Sequence, residues 1–357
     1  MKFPMMNARI IVGLILPALL ACTAALRAES APESSLPPRP FHVEGKDGKR
    51  WDATMTVRHD AFHGVIFYAV PPDDPCQTIH SAELFAETKK GRVNAVRVTD
   101  AGPYKKALLK LELNAAAPFT VVAHVDVQIH HTALAAGAPR GKVPPLGPLA
   151  RWEYLGDEWP DAKARAWFTQ WMKAHKLIRG KEDEAAFAFR VLKFMQEHFR
   201  YVIPDNIPEH KAMVAKDPVM GEWRYTLGTF TGECWRLSDT YVRVMRMNKI
   251  PARLVSGNWM TGDKGHHIRS LIWLADTGWI PVEVTDAVGP PKKPVLEFFG
   301  TWGGAMLVGN RNIGFELPGP KDKWSIGTFD QLGFAAADGT WDFPAAEIKA
   351  TVIPAKD

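Results

Sequence analysis

The order of apolar and polar residues divides the chain into a strand-rich first half and a second half that mixes helices with strands. Between residues 41 and 134, short runs with β-branched residues alternate with turn signals such as Lys46-Asp47-Gly48. No long helical period interrupts them, so this part is predicted to be a small β-sandwich. The predicted strands are 53–57, 65–70, 93–98, 108–113 and 119–129.

Helices begin after residue 150. Over 161–177 and 183–199, apolar residues recur at i, i+3, i+4 and i+7, which predicts two amphipathic helices. Asp183 is the expected N-cap of the second. A third helix is predicted over 234–248, closed by Ile250-Pro251. The strands that follow are predicted at 252–256, 267–274 and 279–284, with a turn between the last two, and the whole pattern indicates an α+β fold.

Composition places linkers between these parts. Segments rich in Pro with Ser or Gly read as extended linkers. The predicted organisation is a leader at 1–28, a linker at 29–40, a β-sandwich at 41–134, a Pro/Gly linker at 135–150, and a catalytic domain with a β-rich extension at 151–357.

The first residues have the pattern of an export signal. Lys2 and Arg9 precede an apolar run at 10–20, which is too short to span a bilayer. Leu19-Leu20-Ala21-Cys22 is similar to a lipoprotein signal ending at residue 21, and cleavage after Ala28 is the alternative. Either cleavage predicts an exported, periplasmic or envelope-associated protein. A lipid on Cys22 is the one expected membrane contact.

The net charge does not indicate a particular class of partner. The formal net charge is +5, but Lys2, Arg9 and Arg27 lie in the predicted leader. Without them, 41 basic residues stand against 39 acidic ones, a net charge of +2. This balance gives no sign of a nucleic-acid partner. No glycine-rich phosphate loop or nucleotide fingerprint occurs, so no cofactor is expected.

The candidate chemistry lies in the second half. Gly232-Glu233-Cys234-Trp235 stands at the predicted start of the third helix, where free N–H groups and the helix dipole favour a thiolate. His266 and His267 follow at the start of a strand, and a histidine there can serve as base and then protonate a leaving amine. Neighbouring strand residues point to opposite faces, so only one of the two can serve Cys234.

A third group should orient the histidine ring. Glu283 and Asp286 both lie within reach on the next strand of the hairpin. A three-residue turn at 275–277 places Thr285 opposite His267 and Glu283 on the near diagonal. A four-residue turn places Asp286 directly opposite instead. The geometry predicted from the residues leaves both acids open.

Four fragments between residues 183 and 286 together resemble the transglutaminase-like family, a branch of the papain-like cysteine enzymes. Each is weak alone, but four in the right order and at the right spacing are specific for the fold. They are Gly232-Glu233-Cys234-Trp235, similar to Gly-Gln-Cys-Trp; Arg246-Met247-Asn248-Lys249-Ile250-Pro251-Ala252-Arg253-Leu254-Val255-Ser256-Gly257, similar to Arg-Ala-x-Gly-Ile-Pro-Ala-Arg-x-Val-x-Gly; the strand from His267, similar to one beginning His-Ala-Trp; and Gly278-Trp279-Ile280-Pro281-Val282-Glu283-Val284-Thr285, similar to Gly-Trp-x-Pro-Val-Asp-Pro-Thr.

The resemblance implies a papain-like core in which the cysteine-bearing helix packs on an antiparallel sheet. It implies Cys234 as nucleophile, His267 as base and Glu283, in place of the family's Asp, as the orienting acid. Further departures from the pattern are Arg269 for Trp, Asn248 for Gly and Val284 for Pro.

The resemblance also implies an oxyanion hole. The backbone N–H of Cys234 would contribute to it. A side-chain donor is expected upstream of the nucleophile, and Tyr201 and Trp223 are the candidates. The sequence does not choose between them.

Two other arrangements of these residue types are weighed and set aside. His124, Asp126, Gln128 and His130 share one face of a predicted strand, but a polar strand face is usually solvated, so no metal is predicted. A disulfide between Cys76 and Cys234 would consume the candidate nucleophile, and a chain of this length does not need one to fold.

The expected function is acyl transfer on peptide or isopeptide amides through a cysteine thioester, with hydrolysis favoured over cross-linking. For an exported protein, a cell-envelope peptide is the expected substrate. The alternative is a non-catalytic protein that retains the fold and binds peptide or envelope components.

Overall fold

The computed structural model describes residues 36–354, except for residues 38, 75, 101–105, 140–141, 157–158, 219, 262–264, 311–314, 319–322 and 327–330. The predicted leader at 1–28, Cys22, and most of the predicted linker at 29–40 lie outside the described residues.

Strands dominate the first half, as the alternating pattern predicts. They are β1 (Phe41–His59), β2 (Phe62–Ala69), β3 (Gln77–Thr88), β4 (Gly91–Asn94), β5 (Val96–Thr99), β6 (Ala107–Ala115) and β7 (Phe119–Ala136). The sequence pattern misses β3, because polar residues such as His80, Ser81 and Glu83 interrupt its apolar positions. Its pairing with β7 along nearly its whole length stabilises a strand that the local β-propensity alone does not predict.

The second half contains the helices. They are α1 (Pro148–Leu155), α2 (Ala162–Ala174), α3 (Glu184–His198), α4 (Pro208–Lys216), α5 (Gly221–Thr229), α6 (Cys234–Met247) and α7 (Val284–Val288). The predicted N-cap of α3 is confirmed, since the Asp183 carboxylate accepts hydrogen bonds from the N–H groups of Ala185 and Ala186. Val284, predicted to end a strand, instead begins α7, because the Glu283 side chain caps this helix through the N–H of Thr285.

The second half also supplies strands, several of them very short. They are β8 (Arg200–Tyr201), β9 (Thr231–Gly232), β10 (Ala252–Trp259), β11 (His266–Leu274), β12 (Gly278–Val282), β13 (Trp302–Gly303), β14 (Met306–Asn310), β15 (Phe315–Pro318), β16 (Lys323–Ile326), β17 (Gly333–Ala336), β18 (Trp341–Asp342) and β19 (Glu347–Ile353).

Strands from the two ends of the chain share sheets. One sheet has the order β19-β1-β7-β3-β4 with β13 also paired to β7, and another has the order β18-β17-β2-β6-β5. A third, central sheet has the order β12-β11-β10-β14 and is antiparallel throughout. The mixture of helices and antiparallel sheets confirms the predicted α+β class.

The central sheet separates two apolar cores. Ile268 and Ile272 of β11 pack with buried helix residues such as Val191 and Leu237. Leu271, on the opposite face of the same strand, packs with buried residues of the first-half sheets. The sheet is therefore buried on both faces, which explains the nearly continuous apolar composition of β10 and β11.

Two serines fasten α6 to the central sheet. The Ser238 hydroxyl donates to the carbonyl oxygen of Ile268 at 3.1 Å, and the Ser270 hydroxyl donates to the carbonyl oxygen of Ser238 at 3.2 Å. Both serines are fully buried. These reciprocal bonds fix the position of α6 along β11, and so the position of Cys234 relative to His267.

Within the described ranges, no helix is both long enough and apolar enough to cross a membrane.

Candidate functional site

Cys234 is the first residue of α6, as its motif predicts. Glu233 occupies the N-cap position, and its carbonyl oxygen accepts the Leu237 N–H at 3.0 Å. The first N–H groups of a helix have no partner inside the helix, so those at the start of α6 can bind a group attached to Cys234. Cys234 is half-buried, which leaves its sulfur open to a small reactant.

The turn that precedes Cys234 is fixed from both sides. The parallel pair β8–β9 aligns Tyr201 with Gly232, and the Val202 N–H donates to the Gly232 carbonyl oxygen at 3.0 Å. The Arg236 guanidinium pairs with Glu233 at 2.6 Å and also with Glu222. The backbone at the start of α6 is therefore anchored before any substrate arrives.

His267 lies at the start of β11, with 7% of its surface exposed. It pairs with Gly257 of β10, where a Cβ atom would lie 1.8 Å from the Leu307 carbonyl oxygen. Glycine at this position thus allows β14 to approach β10 beside the histidine. The Trp259 ring covers the imidazole, with 5.4 Å between ring centroids and 31° between planes.

The structure brings Cys234, His267 and Glu283 together. Nε2 of His267 lies 3.1 Å and 3.3 Å from the two carboxylate oxygens of Glu283, and His267 also hydrogen-bonds the Cys234 side chain. Glu283 is 4% exposed. The imidazole is therefore held between a thiol and a buried carboxylate.

The charges in this group shift two pKa values in opposite directions. Burial lowers the pKa of His267, but the Glu283 charge and the hydrogen bonds to Cys234 and Glu283 outweigh it and raise that pKa to about 9. Burial raises the pKa of Glu283, whereas the charges of Arg269 and His267 lower it to about 2. At neutral pH the site therefore contains an imidazolium and a carboxylate.

The hairpin between β11 and β12 explains why Glu283 reaches His267. Leu274 pairs with Gly278, so residues 275–277 form a three-residue turn. Gly278 has φ of +90°, a conformation that favours glycine. In this register Glu283 follows the last paired residue of β12 and projects to His267, while Asp286 lies within α7.

The two candidate oxyanion donors have different surroundings. Tyr201 is 43% exposed and lies next to the start of α6, where burial and the Cys234 and Glu233 charges raise its pKa. Trp223 packs in an aromatic group with Trp159, and the Arg243 guanidinium lies 4.7 Å from its ring centroid. Tyr201 is therefore the candidate that the structure places beside the thiol.

The strand residues weighed as metal ligands have other partners. His124 bonds Asp52 at 2.5 Å, Asp126 pairs with Arg50, and His130 lies 3.2 Å from the Thr78 hydroxyl. Cys76 is fully buried as a free thiol, and its burial and the nearby Asp74 charge raise its pKa well above the usual range. Cys76 and Cys234 thus differ in burial.

A cavity of about 770 Å³ lies elsewhere, between the first-half strands and α1. Lys106, Glu153 and Tyr154 are among its lining residues, and Cys234, His267 and Glu283 are not. We place the chemistry on the cysteine group because a thiol, an imidazole and a buried carboxylate are in contact there.

The ionisation of His267 should appear in the stability of the protein. A pKa raised from 6.5 to about 9 stabilises the fold below pH 6.5, and this contribution is lost as the pH rises through 9. We expect the free energy of unfolding to fall over that window by about 1.4 kcal/mol for each pKa unit of the shift. Chemical denaturation at a series of pH values, with the His267→Asn variant alongside, measures this loss. Equal slopes in the two proteins would contradict it.

Comparison with known proteins relates one segment of the chain to a family. Residues 172–284 match the family model of the transglutaminase-like superfamily, a segment that contains Cys234, His267 and Glu283. The chain carries a transglutaminase-like core. No protein with a curated description matches the chain.

Solved structures similar to this chain come from several bacteria. A cysteine protease candidate from Cytophaga hutchinsonii is similar over 88% of this chain and 94% of its own length, at 10% identity and a TM-score of 0.49. The periplasmic domain of TgpA from Pseudomonas aeruginosa is similar over 68% of this chain and 86% of its own, at 15% identity and a TM-score of 0.30.

Sequence reasoning missed one feature of the candidate site and misjudged another. The reciprocal bonds of Ser238 and Ser270 need both elements in place before either serine has a partner. A pairing of Glu283 with Arg269 or Arg253 is open from the sequence only as a contact on a solvated face, whereas the structure has Glu283 in a buried ion pair with Arg269. An arginine two residues after the histidine, on the same strand face, was the available signal.

Proposed function

We propose that this protein is a cysteine-nucleophile enzyme that transfers acyl groups from peptide or isopeptide amides. Cys234 is the nucleophile, His267 the acid and base, and Glu283 the residue that orients the imidazole. The observation that carries the proposal is the imidazole of His267 in contact with both the Cys234 thiol and the Glu283 carboxylate.

The proposed reaction has two halves. The Cys234 thiolate attacks the amide carbonyl, and the His267 imidazolium gives its proton to the departing amine as the C–N bond breaks. Water then attacks the resulting thioester and gives a proton to the imidazole; as the C–S bond breaks, the carboxylic acid product leaves and the Cys234 thiolate is restored beside the imidazolium. Because Glu283 bonds Nε2, we assign Nδ1 as the nitrogen that exchanges protons with the sulfur and the substrate.

Oxyanion stabilisation is proposed to come from the start of α6. The N–H of Cys234 lies in the first turn of the helix, where such groups have no partner within the helix, and is the proposed backbone donor to the oxyanion. Tyr201, on the neighbouring strand, is the proposed side-chain donor because its position beside Cys234 fits that role.

We propose hydrolysis rather than transfer to an amine. A peptide of the cell envelope is the proposed acyl donor, because the leader pattern predicts export. A small activated ester tests the chemistry without knowledge of that donor. We expect 4-nitrophenyl acetate to acetylate Cys234 in a burst of 4-nitrophenolate stoichiometric with enzyme, followed by slow turnover to acetate.

The same reagent separates the two acceptors. If water is the acceptor, added glycinamide should change the steady-state rate by less than about twofold, and acetate should remain the product. Formation of acetylglycinamide at the expense of acetate, measured by mass spectrometry, would instead assign the enzyme as an amine transferase. A complete absence of the burst would favour the non-catalytic binding protein.

A further inference from the structure

The Glu283 carboxylate is shared by two cationic groups. Oε2 of Glu283 lies 3.1 Å from Nε2 of His267 and also contacts Nε of Arg269. Oε1 accepts the Thr285 N–H at 3.1 Å. All three charged side chains are buried, so water supplies little of the solvation that the carboxylate needs.

Arg269 is itself fixed by two indole rings. Its guanidinium carbon lies 4.5 Å from the ring centroid of Trp302 and 5.1 Å from that of Trp259. Trp302 belongs to β13, which pairs with β7 of a first-half sheet, and Trp259 covers the His267 ring. The cation is therefore held on the same side of β11 as the imidazole.

Resting on the proposed function, we propose that Arg269 is a positioning residue for acyl transfer, which holds the Glu283 carboxylate against His267. A glutamate arm is one methylene longer than an aspartate arm and has one more rotatable bond, so its carboxylate is harder to fix. The ion pair to Arg269 restricts that extra freedom. Arg269 and Glu283, which depart from the Trp and Asp of the family pattern, then form one functional unit.

The charged groups around Arg269 come from several elements. Glu283 faces it from the start of α7, His267 lies two residues earlier on β11, and the Cys76 thiol lies close enough to be influenced by its charge. The Arg269 cation opposes protonation of His267, while Glu283 favours it. Variants of Arg269 and of Glu283 should therefore shift the pKa of His267 in opposite directions.

The first test is the rate of the 4-nitrophenyl acetate burst. We expect Arg269→Met to slow acetylation of Cys234 about tenfold, and Arg269→Lys, which keeps the charge but not the planar contact with the indole rings, to recover only part of that loss. In a Glu283→Gln background, Arg269→Met should change the rate by less than about twofold, because the two residues act as a unit. The double variant replaces a buried ion pair by neutral side chains, so it should fold even if one single variant does not.

The second test follows the ionisation of His267 by NMR of histidine-labelled protein, with His267→Asn to assign the signal. Removing Arg269 from the Glu283→Gln variant should raise the His267 titration midpoint by about one pH unit, since a nearby cation is lost. An unchanged midpoint would contradict the electrostatic contact between Arg269 and the imidazole.

Arg253→Met is the matched control. Arg253 is as buried as Arg269, pairs with Asp74 at 2.9 Å and lies 4.0 Å from the Trp279 ring centroid. It should lower stability without altering the burst rate per folded enzyme. If Arg269→Met behaves like Arg253→Met in both tests, the positioning role is wrong. If wild type gives no burst while the NMR midpoints shift as expected, the acyl-transfer proposal fails. Arg269 then influences the ionisation of His267 in a protein that does not catalyse acyl transfer.

Discussion

Replacement of Cys234 by alanine is expected to abolish the 4-nitrophenolate burst and to lower steady-state ester turnover by about 10³-fold or more. The reason is that the acyl-enzyme needs a sulfur nucleophile at the start of α6. Losses of this size are typical when one member of a catalytic group is removed. The fold should survive, since the half-buried sulfur is exchanged for a smaller methyl group.

Cys76→Ala provides the matched control for that experiment. Cys76 is fully buried, and its burial holds its thiol in the neutral form. The variant should therefore retain the full burst, and peptide mapping should locate the acetyl group on Cys234. A burst that persists in Cys234→Ala and disappears in Cys76→Ala would contradict our account, because it would identify Cys76 as the nucleophile.

Much of the second half follows from local sequence, because its signals are local. The start of α6 at Cys234 follows from the glycine before it and the apolar stripe after it, and Asp183 marks the start of α3 by its capping side chain. The hairpin of β11 and β12 is equally clear from its turn residues. Such short-range patterns specify where an element begins, whatever packs against it later.

Other features depend on contacts that the local pattern does not encode. The polar residues of β3 obscure its strand pattern in the sequence, and the strand forms because it pairs with β7. The final strands join the first-half sheets through β1–β19 and β2–β17 pairing, across nearly the whole chain. The division into a β-sandwich at 41–134 and a catalytic domain at 151–357 stays a prediction.

The candidate site contains both kinds of feature, those set by local sequence and those set by tertiary contacts. The motifs predict Cys234 and His267 from position alone, but the hairpin leaves Glu283 and Asp286 as alternatives. The three-residue turn and the N-cap role of Glu283 bring that carboxylate to the imidazole. A capping side chain that also bonds a histidine is a tertiary feature, so it could not be read from the strand pattern.

His267→Asn is expected to produce the second large effect, on the reactivity of Cys234. In our account the imidazolium pairs with the sulfur and stabilises its reactive thiolate form. A thiol with the ordinary pKa of about 8.5 is only about 0.3% ionised at pH 6, so loss of the imidazolium should slow alkylation at that pH about 300-fold relative to a fully ionised sulfur. Above pH 9 the two proteins should converge, because the sulfur is then ionised in both.

The neighbouring His266 supplies the control. It precedes His267 on β11, so its side chain lies on the opposite face of the strand, and it pairs with Asn258 in the backbone register. His266→Asn should therefore alkylate with the same pH dependence as wild type. A loss of acidic reactivity in this variant, with His267→Asn unaffected, would assign the base to the other histidine.

The most direct test of the cysteine–histidine pair is the iodoacetamide alkylation rate of Cys234 from about pH 4 to pH 10, followed by peptide mass spectrometry in wild type and His267→Asn. Our account predicts rapid alkylation well below pH 7 in wild type and loss of that acidic reactivity in the variant. Alkylation that rises only near pH 8.5, and equally in both proteins, would contradict a thiolate–imidazolium pair and leave a transglutaminase-like fold without its proposed chemistry.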